Sequence, residues 1–185
     1  MAPLSSIFAF MLATLAIASP APAPIAPRQE VITAQIVQQD VKNIDAGVQS
    51  LRKHVAAYNG ELLSATPLVG DFTAIHLANR AGFLNANLRR TKFTAREPTA
   101  IVQTVIDTVG VSIPAAVEET KAKKPLFDQA GLSPVILGTL KVLLDDHDTF
   151  SAAVSKDLSA DLVRAQAVVD KIHNAIQSGI DFFSA

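Results

Sequence analysis

The sequence of 185 residues contains no cysteine and no tryptophan, and only one tyrosine. Aromatic side chains make up 5% of it and charged ones 18%. Without cysteine there is no disulfide framework, no thiol nucleophile and no thiolate metal site. Neither charge is in excess: 16 basic against 17 acidic residues leave a formal net charge of −1. Gripping nucleic acid or an anionic membrane by charge needs a basic surplus, so that class is excluded. A hydrophobic content of 49% with so little charge also excludes a chain that stays disordered. What remains is an aliphatic chain, long enough for one domain with a substantial core.

The apolar residues are organised from the first turn onward. Ile7 to Ala18 is apolar but for Thr14, too short a run to cross a bilayer as a helix. It closes on Ala16-Ile17-Ala18, the small-x-small pattern of signal-peptide cleavage, so residues 1–18 read as a signal peptide. Residues 19–28 form an Ala/Pro-rich leader in which Pro20, Pro22, Pro24 and Pro27 forbid a continuing helix. Arg28 marks a candidate second processing point, and residues 29–185 form the domain. No later segment reads as a membrane span; Val135–Leu144 is interrupted by Lys141. The C-terminal residues lack the hydrophobic tail of a lipid-anchor signal, and no Asn-x-Ser/Thr acceptor occurs. The expected location is secreted and extracellular, with any cell-wall association made without a lipid anchor.

From Gln29 onward the spacing is helical. Val37, Val41, Ile44, Val48, Leu51, Val55 and Tyr58 alternate by four and three, a seam that needs a helix and a partner to bury it. A second helix carries Phe72, Ile75, Asn79, Gly82 and Ala86, and a third begins near Pro98 with Ile101, Val102, Val105 and Ile106. Gly110 and Pro114 predict a kink in the third. Residues 123–131 read as a loop. Ser133 before Pro134 predicts an N-cap for the fourth helix, whose seam includes Ile136, Leu140, Leu143, His147 and Phe150. Ser159 predicts the cap of the fifth, with Leu158 stapled onto Val163. No alternating strand pattern occurs. The fold class expected is all-α, an up-and-down bundle of four to five amphipathic helices with the third kinked near Gly110–Pro114.

Catalytic patterns are missing. Gly110-Val111-Ser112-Ile113-Pro114 fails the nucleophile-elbow motif at its last position and has no strand before it. Glu-x-x-His and His-Glu-x-x-His are both absent, so neither a di-iron bundle nor a zinc protease is expected. Asp145-Asp146-His147-Asp148 diverge by about 100° per residue on a helix and cannot converge on one ion. No enzyme, metal or cofactor is expected. The small residues Ala74, Ala78, Ala81, Gly82 and Ala86 admit two readings: a close approach of helices, or missing volume that leaves an apolar tunnel along the bundle axis.

Lys123-Lys124-Pro125-Leu126-Phe127-Asp128-Gln129-Ala130-Gly131-Leu132-Ser133-Pro134-Val135, ahead of a long helix, resembles the fungal hydrophobic surface-binding protein A family. Cell-wall galactomannoproteins carry the same domain. The resemblance extends more loosely from about Val31 to Phe183. It implies a secreted helical bundle that adsorbs to hydrophobic surfaces and recruits a polyester-degrading hydrolase, or that holds a long-chain fatty acid between its helices. Within the connecting block itself, Phe127 reads as a plug and Gly131 as a turn.

Two functions are therefore expected as alternatives. The first is a lipid carrier with an apolar tunnel lined by Val48, Leu51, Phe72, Ile75, Ile106, Leu140, Leu144 and Ile176, and with His76, Asn79, Ser112 or His147 meeting a carboxylate. Sixteen methylenes at about 0.8 kcal/mol each set an upper limit near 13 kcal/mol before the costs of binding. The second is an interfacial adhesion or adaptor protein, whose partners are a hydrophobic surface and a secreted esterase.

Overall fold

The computed structural model describes residues 32–185; the expected signal peptide and leader lie outside the described residues. Helix α1, Ala34–Ala57, opens with the Thr33 hydroxyl accepting from the Ile36 N–H. It buries its whole seam, from Val37 to Val55, and Tyr58 beyond its end is also buried. A short 3₁₀ turn, Leu63–Ala65, leads into α2, Thr66–Leu88. Helices α3, Glu97–Asp107, and α4, Val109–Ala122, form one bent rod. The short α5, Lys124–Gln129, precedes the two long helices α6, Ser133–Ser155, and α7, Leu162–Ser184. Among the described residues there is no strand.

Side-chain contacts fix the directions of these rods. Asp40 meets Asn85 and His54 meets Asp71, so α1 and α2 are antiparallel. His76 meets Asp146, and a Cβ on Gly82 would meet Phe150, so α2 and α6 run parallel. His147 meets Val169, and a Cβ on Gly179 would meet Leu140, which sets α7 antiparallel to α6. Asp45 and Arg52 reach Ser112 and Glu119 in a parallel α1–α4 pair, and Lys121 reaches Ser178 in a parallel α4–α7 pair. The chain thus alternates up and down, while in space five rods close a ring in the order α1, α2, α6, α7 and the bent rod.

Several local expectations need correction. The bend falls at Thr108, before Gly110, where φ −115° and ψ −98° leave the helical region. Its hydroxyl donates back to the Thr104 carbonyl at 2.6 Å, a bond that tends to bend helices, whereas Pro114 sits inside α4. Residues 124–129, read as loop, form α5, which ends at Gly131 with φ +69°. Neither Ser133 nor Ser159 caps a helix: their hydroxyls donate to Asp128 Oδ1 and the Phe93 carbonyl. Val163 is 85% exposed, so Leu158 does not staple onto it. Taken together, residues 97–122 have the length and apolarity of a membrane-crossing helix, which the sequence reading did not count. Here Ile101, Val102, Val109, Ala116 and Val117 spend that apolarity on the core.

Both ends of the ring are closed. At one, Phe93 is buried beneath the Arg89 guanidinium, 3.9 Å from its ring centre, and its N–H donates to the Asp157 carbonyl. At the other, Phe127 is fully buried, stacked on Tyr58 at 4.7 Å and tilted against Phe183 at 6.3 Å. The Lys123 ammonium donates to the Ala56 and Tyr58 carbonyls, closing the C-terminus of α1 over that plug.

Candidate functional site

Along the ring axis runs a narrow void of about 90 Å³, walled by all five rods. Val41, Ile44, Val48 and Leu51 come from α1, and Phe72, Ile75 and Asn79 from α2. The bent rod gives Val105, Val109, Ile113, Ala116, Val117 and Thr120. From α6 come Leu140, Leu143, His147, Phe150 and Ser151, and from α7 Ile172 and Ile176. A second void of about 60 Å³ continues toward the Phe93 end and shares Val41, Val105, Phe150 and Ser151 with the first. From Val37 to Leu51 the lined stretch is about 21 Å long at the helical rise. It is a thin, mostly apolar tunnel.

Six of the eight apolar residues expected to line it face it: Val48, Leu51, Phe72, Ile75, Leu140 and Ile176. Ile106 and Leu144 do not; their neighbours Val105 and Leu143 take those places, and both displaced residues pack part-buried against the core from outside. Of the polar candidates, Asn79 and His147 line the tunnel. His76 turns outward, with Nδ1 2.6 Å from Asp146 Oδ2, and Ser112 is spent on Asp45. None of Ala74, Ala78, Ala81, Gly82 and Ala86 borders the void. The space at Gly82 is taken up by Phe150, whose Cζ would lie 2.7 Å from an added Cβ. Close approach is the reading that holds there.

The polar groups of the tunnel lie mainly on its α2 and α6 walls. Asn79 donates one Nδ2 hydrogen to the Ile75 carbonyl at 3.0 Å, which leaves the other free. The Val169 carbonyl, 3.1 Å from His147 Nε2, can only accept, so it holds the hydrogen on Nε2 and makes Nδ1 the acceptor. The Ser151 hydroxyl is 3.5 Å from that Nδ1. Burial pushes the His147 pKa below the ordinary histidine value, with the Val169 bond and Asp148 offsetting this only in part.

Sequence reasoning missed Asp146, which is 2% exposed, tied to His76 and 3.9 Å from Arg80 Nη1. The signal was within reach. A step of 100° per residue sends Asp146 toward α2, His147 inward and Asp148 toward His173 on α7. Among the described residues no three His, Asp or Glu side chains gather to hold a metal ion.

The family model for hydrophobic surface binding protein A matches residues 34–156, from the start of α1 through the end of α6. The chain belongs to the hydrophobic surface binding protein A family. No curated protein matches it in sequence. Solved structures of the same fold include AFMP4P in complex with palmitic acid, at TM-score 0.78 and 22% identity over 82% of this chain and 99% of that one. Ligand-binding domain 1 of the Penicillium marneffei MP1 protein, complexed with arachidonic acids, superposes at TM-score 0.76 with 24% identity, covering 83% of this chain and 100% of that one. Domain 2 of the same protein, complexed with multiple arachidonic acids, gives 0.75 and 23% over 85% of this chain and 99% of that one. At such identities these likenesses establish the fold of this family member alone.

Proposed function

We propose that this member of the family is a secreted, non-enzymatic protein that holds a long-chain fatty acid in the axial tunnel. The observation that carries the reading is a void lined by all five rods with apolar side chains, broken only by Asn79, Thr120, His147 and Ser151. That is the chemistry of a chain with one polar end: the methylenes gain by leaving water, and few donors are needed for a carboxylate. The second Nδ2 hydrogen of Asn79 and the Ser151 hydroxyl supply those donors. Fatty acids in the structural neighbours support the same reading. Pockets for such ligands usually hold about 300–1,000 Å³. The ring therefore widens to load, which a core without disulfides permits. The apolar run ending at Ala16-Ile17-Ala18 supports secretion. Titration of delipidated protein with oleate tests the proposal: saturable one-site binding at micromolar concentration is expected, and its absence would overturn it.

One observation favours a second reading, adsorption at hydrophobic surfaces. Pro67, Gly70, Ala74, Leu77, Ala81, Leu84 and Leu88 repeat by three and four along the outer face of α2, and all are exposed. A helix apolar on every side is normally buried on every side; α2 buries only the face with Phe72 and Ile75. Coiled-coil partners are selected by charges beside such a seam, and here the exposed flanking residues Thr73 and Asn87 are uncharged, Asp71 is buried and Arg80 is half-buried. The stripe suits an uncharged wax or polyester surface, and recruitment of a secreted esterase would follow from adsorption there. A Leu77→Glu/Leu84→Glu variant should lose most adsorption to polyester beads while its oleate affinity stays unchanged. Undiminished adsorption would remove the stripe from consideration.

A further inference from the structure

The tunnel has no opening at either end. Phe93 and Phe127 close the two ends, each fully buried and pinned by hydrogen bonds of its own or its neighbours' backbone. Anything that enters must pass between two rods. Two of the five seams, α1–α2 and α6–α7, are hairpins whose rods are joined by connections of a few residues. The α1–α4 seam is bolted by the Arg52–Glu119 fork and by Ser112 on Asp45. Across α4–α7, Lys121 donates to Ser178. The α2–α6 seam, like α1–α4 and α4–α7, joins parallel rods with no short loop between them, and its cross-links gather around Asp146, which His76 and Arg80 share.

On the outer side of this seam lies an apolar groove of about 400 Å³, larger than the tunnel itself. Among the described residues, Phe72 and Leu143 alone line both the groove and the axial void, so these two side chains form the partition between them. Val69, Val135 and Val142 on the groove wall are roughly half exposed, an unusual state for branched aliphatics. Its one titratable wall residue is His76, with a half-exposed ring, and Arg80 stands one turn further along α2. These two basic groups face a single carboxylate, Asp146, and leave the rim suited to an anionic headgroup.

We propose that the α2–α6 groove is the entrance site for the fatty acid: the acyl chain first rests in it, then passes inward as Phe72 and Leu143 swing apart. The carboxylate stays last at the His76–Arg80 rim. This route rests on the fatty-acid reading above and adds where the ligand crosses the wall.

The cysteine-free chain makes the route testable. Val69 and Thr139 both line the groove and lie seven residues, two helical turns, before His76 and Asp146, so they share the register of that bonded pair. A Val69→Cys/Thr139→Cys variant would be joined by a short, disulfide-containing bismaleimide. An Asp148→Cys/His173→Cys variant, joined in the same way across α6–α7, serves as control, since those side chains are 2.8 Å apart. Stopped-flow fluorescence with cis-parinaric acid reads uptake and release. The α2–α6 link should slow both at least tenfold, reductive cleavage of the linker should restore them, and the control should stay within twofold of native. Unchanged rates in the α2–α6 form, or equal slowing in the control, would overturn the route. If the unlinked proteins bind no parinaric acid at equilibrium, the carrier reading itself falls, and the route with it.

Discussion

His147 stands where the tunnel, α6 and α7 meet, and its environment makes a sign-definite prediction. The unfolded chain takes up a proton at this ring near pH 6.5, whereas burial holds the folded ring to a lower value. Between those two values the unfolded state binds more protons, so stability rises with pH there. The contribution of a neutral His147 is fully present above about pH 6.5 and is lost as pH falls through the depressed folded value. A His147→Gln variant keeps a polar side chain and removes the titration. Its thermal midpoint should fall less than that of the native protein between pH 7 and pH 5. The pairs of His54 and His76 with aspartates are present in both proteins. Identical pH profiles would mean that the ring binds its proton equally well folded and unfolded, as a solvated side chain would.

Periodicity carried most of the elements, and its failures have definite causes. The α1 seam from Val37 to Tyr58 is buried throughout, because four–three spacing leaves a helix only one way to face a core. Where a helix is apolar all round, spacing no longer fixes its rotation. On α2 the inner face with Phe72 and Ile75 was legible, but the outer stripe through Leu77 and Leu84 was not, since nothing in one sequence says which apolar face lacks a partner. The same ambiguity of one position put Ile106 and Leu144 in the tunnel where Val105 and Leu143 stand. Ser133 and Ser159 look like caps because a serine before an apolar run usually is one; tertiary acceptors on Asp128 and Phe93 claimed their hydroxyls first. For α5, a sequence of two lysines, a proline and a glycine hid a single turn that exists to hold Phe127 in the end of the bundle.

At the scale of the whole molecule, the ring of five rods is a compromise between filling its centre and keeping it vacant. A fully filled bundle would gain the dispersion contacts that the axial void forgoes, so the void is a standing cost in stability. A substitution that fills it should therefore move stability and binding in opposite directions. Ala116 is the smallest side chain on the wall and is buried on α4. In an Ala116→Leu variant the added carbons occupy the void, and the unliganded protein should melt at the same temperature as native or higher. If oleate occupies the tunnel as proposed, a hundredfold excess over its dissociation constant should stabilise the native protein by about 2.7 kcal/mol, or roughly 5–11 °C at this chain length. The filled variant should lose most of that rise, because its ligand must now displace protein as well as spread the rods. Differential scanning fluorimetry with and without oleate reads both quantities in one plate. A variant with a lower unliganded midpoint and an undiminished ligand shift would show that the axis is already full and that the fatty acid lies elsewhere.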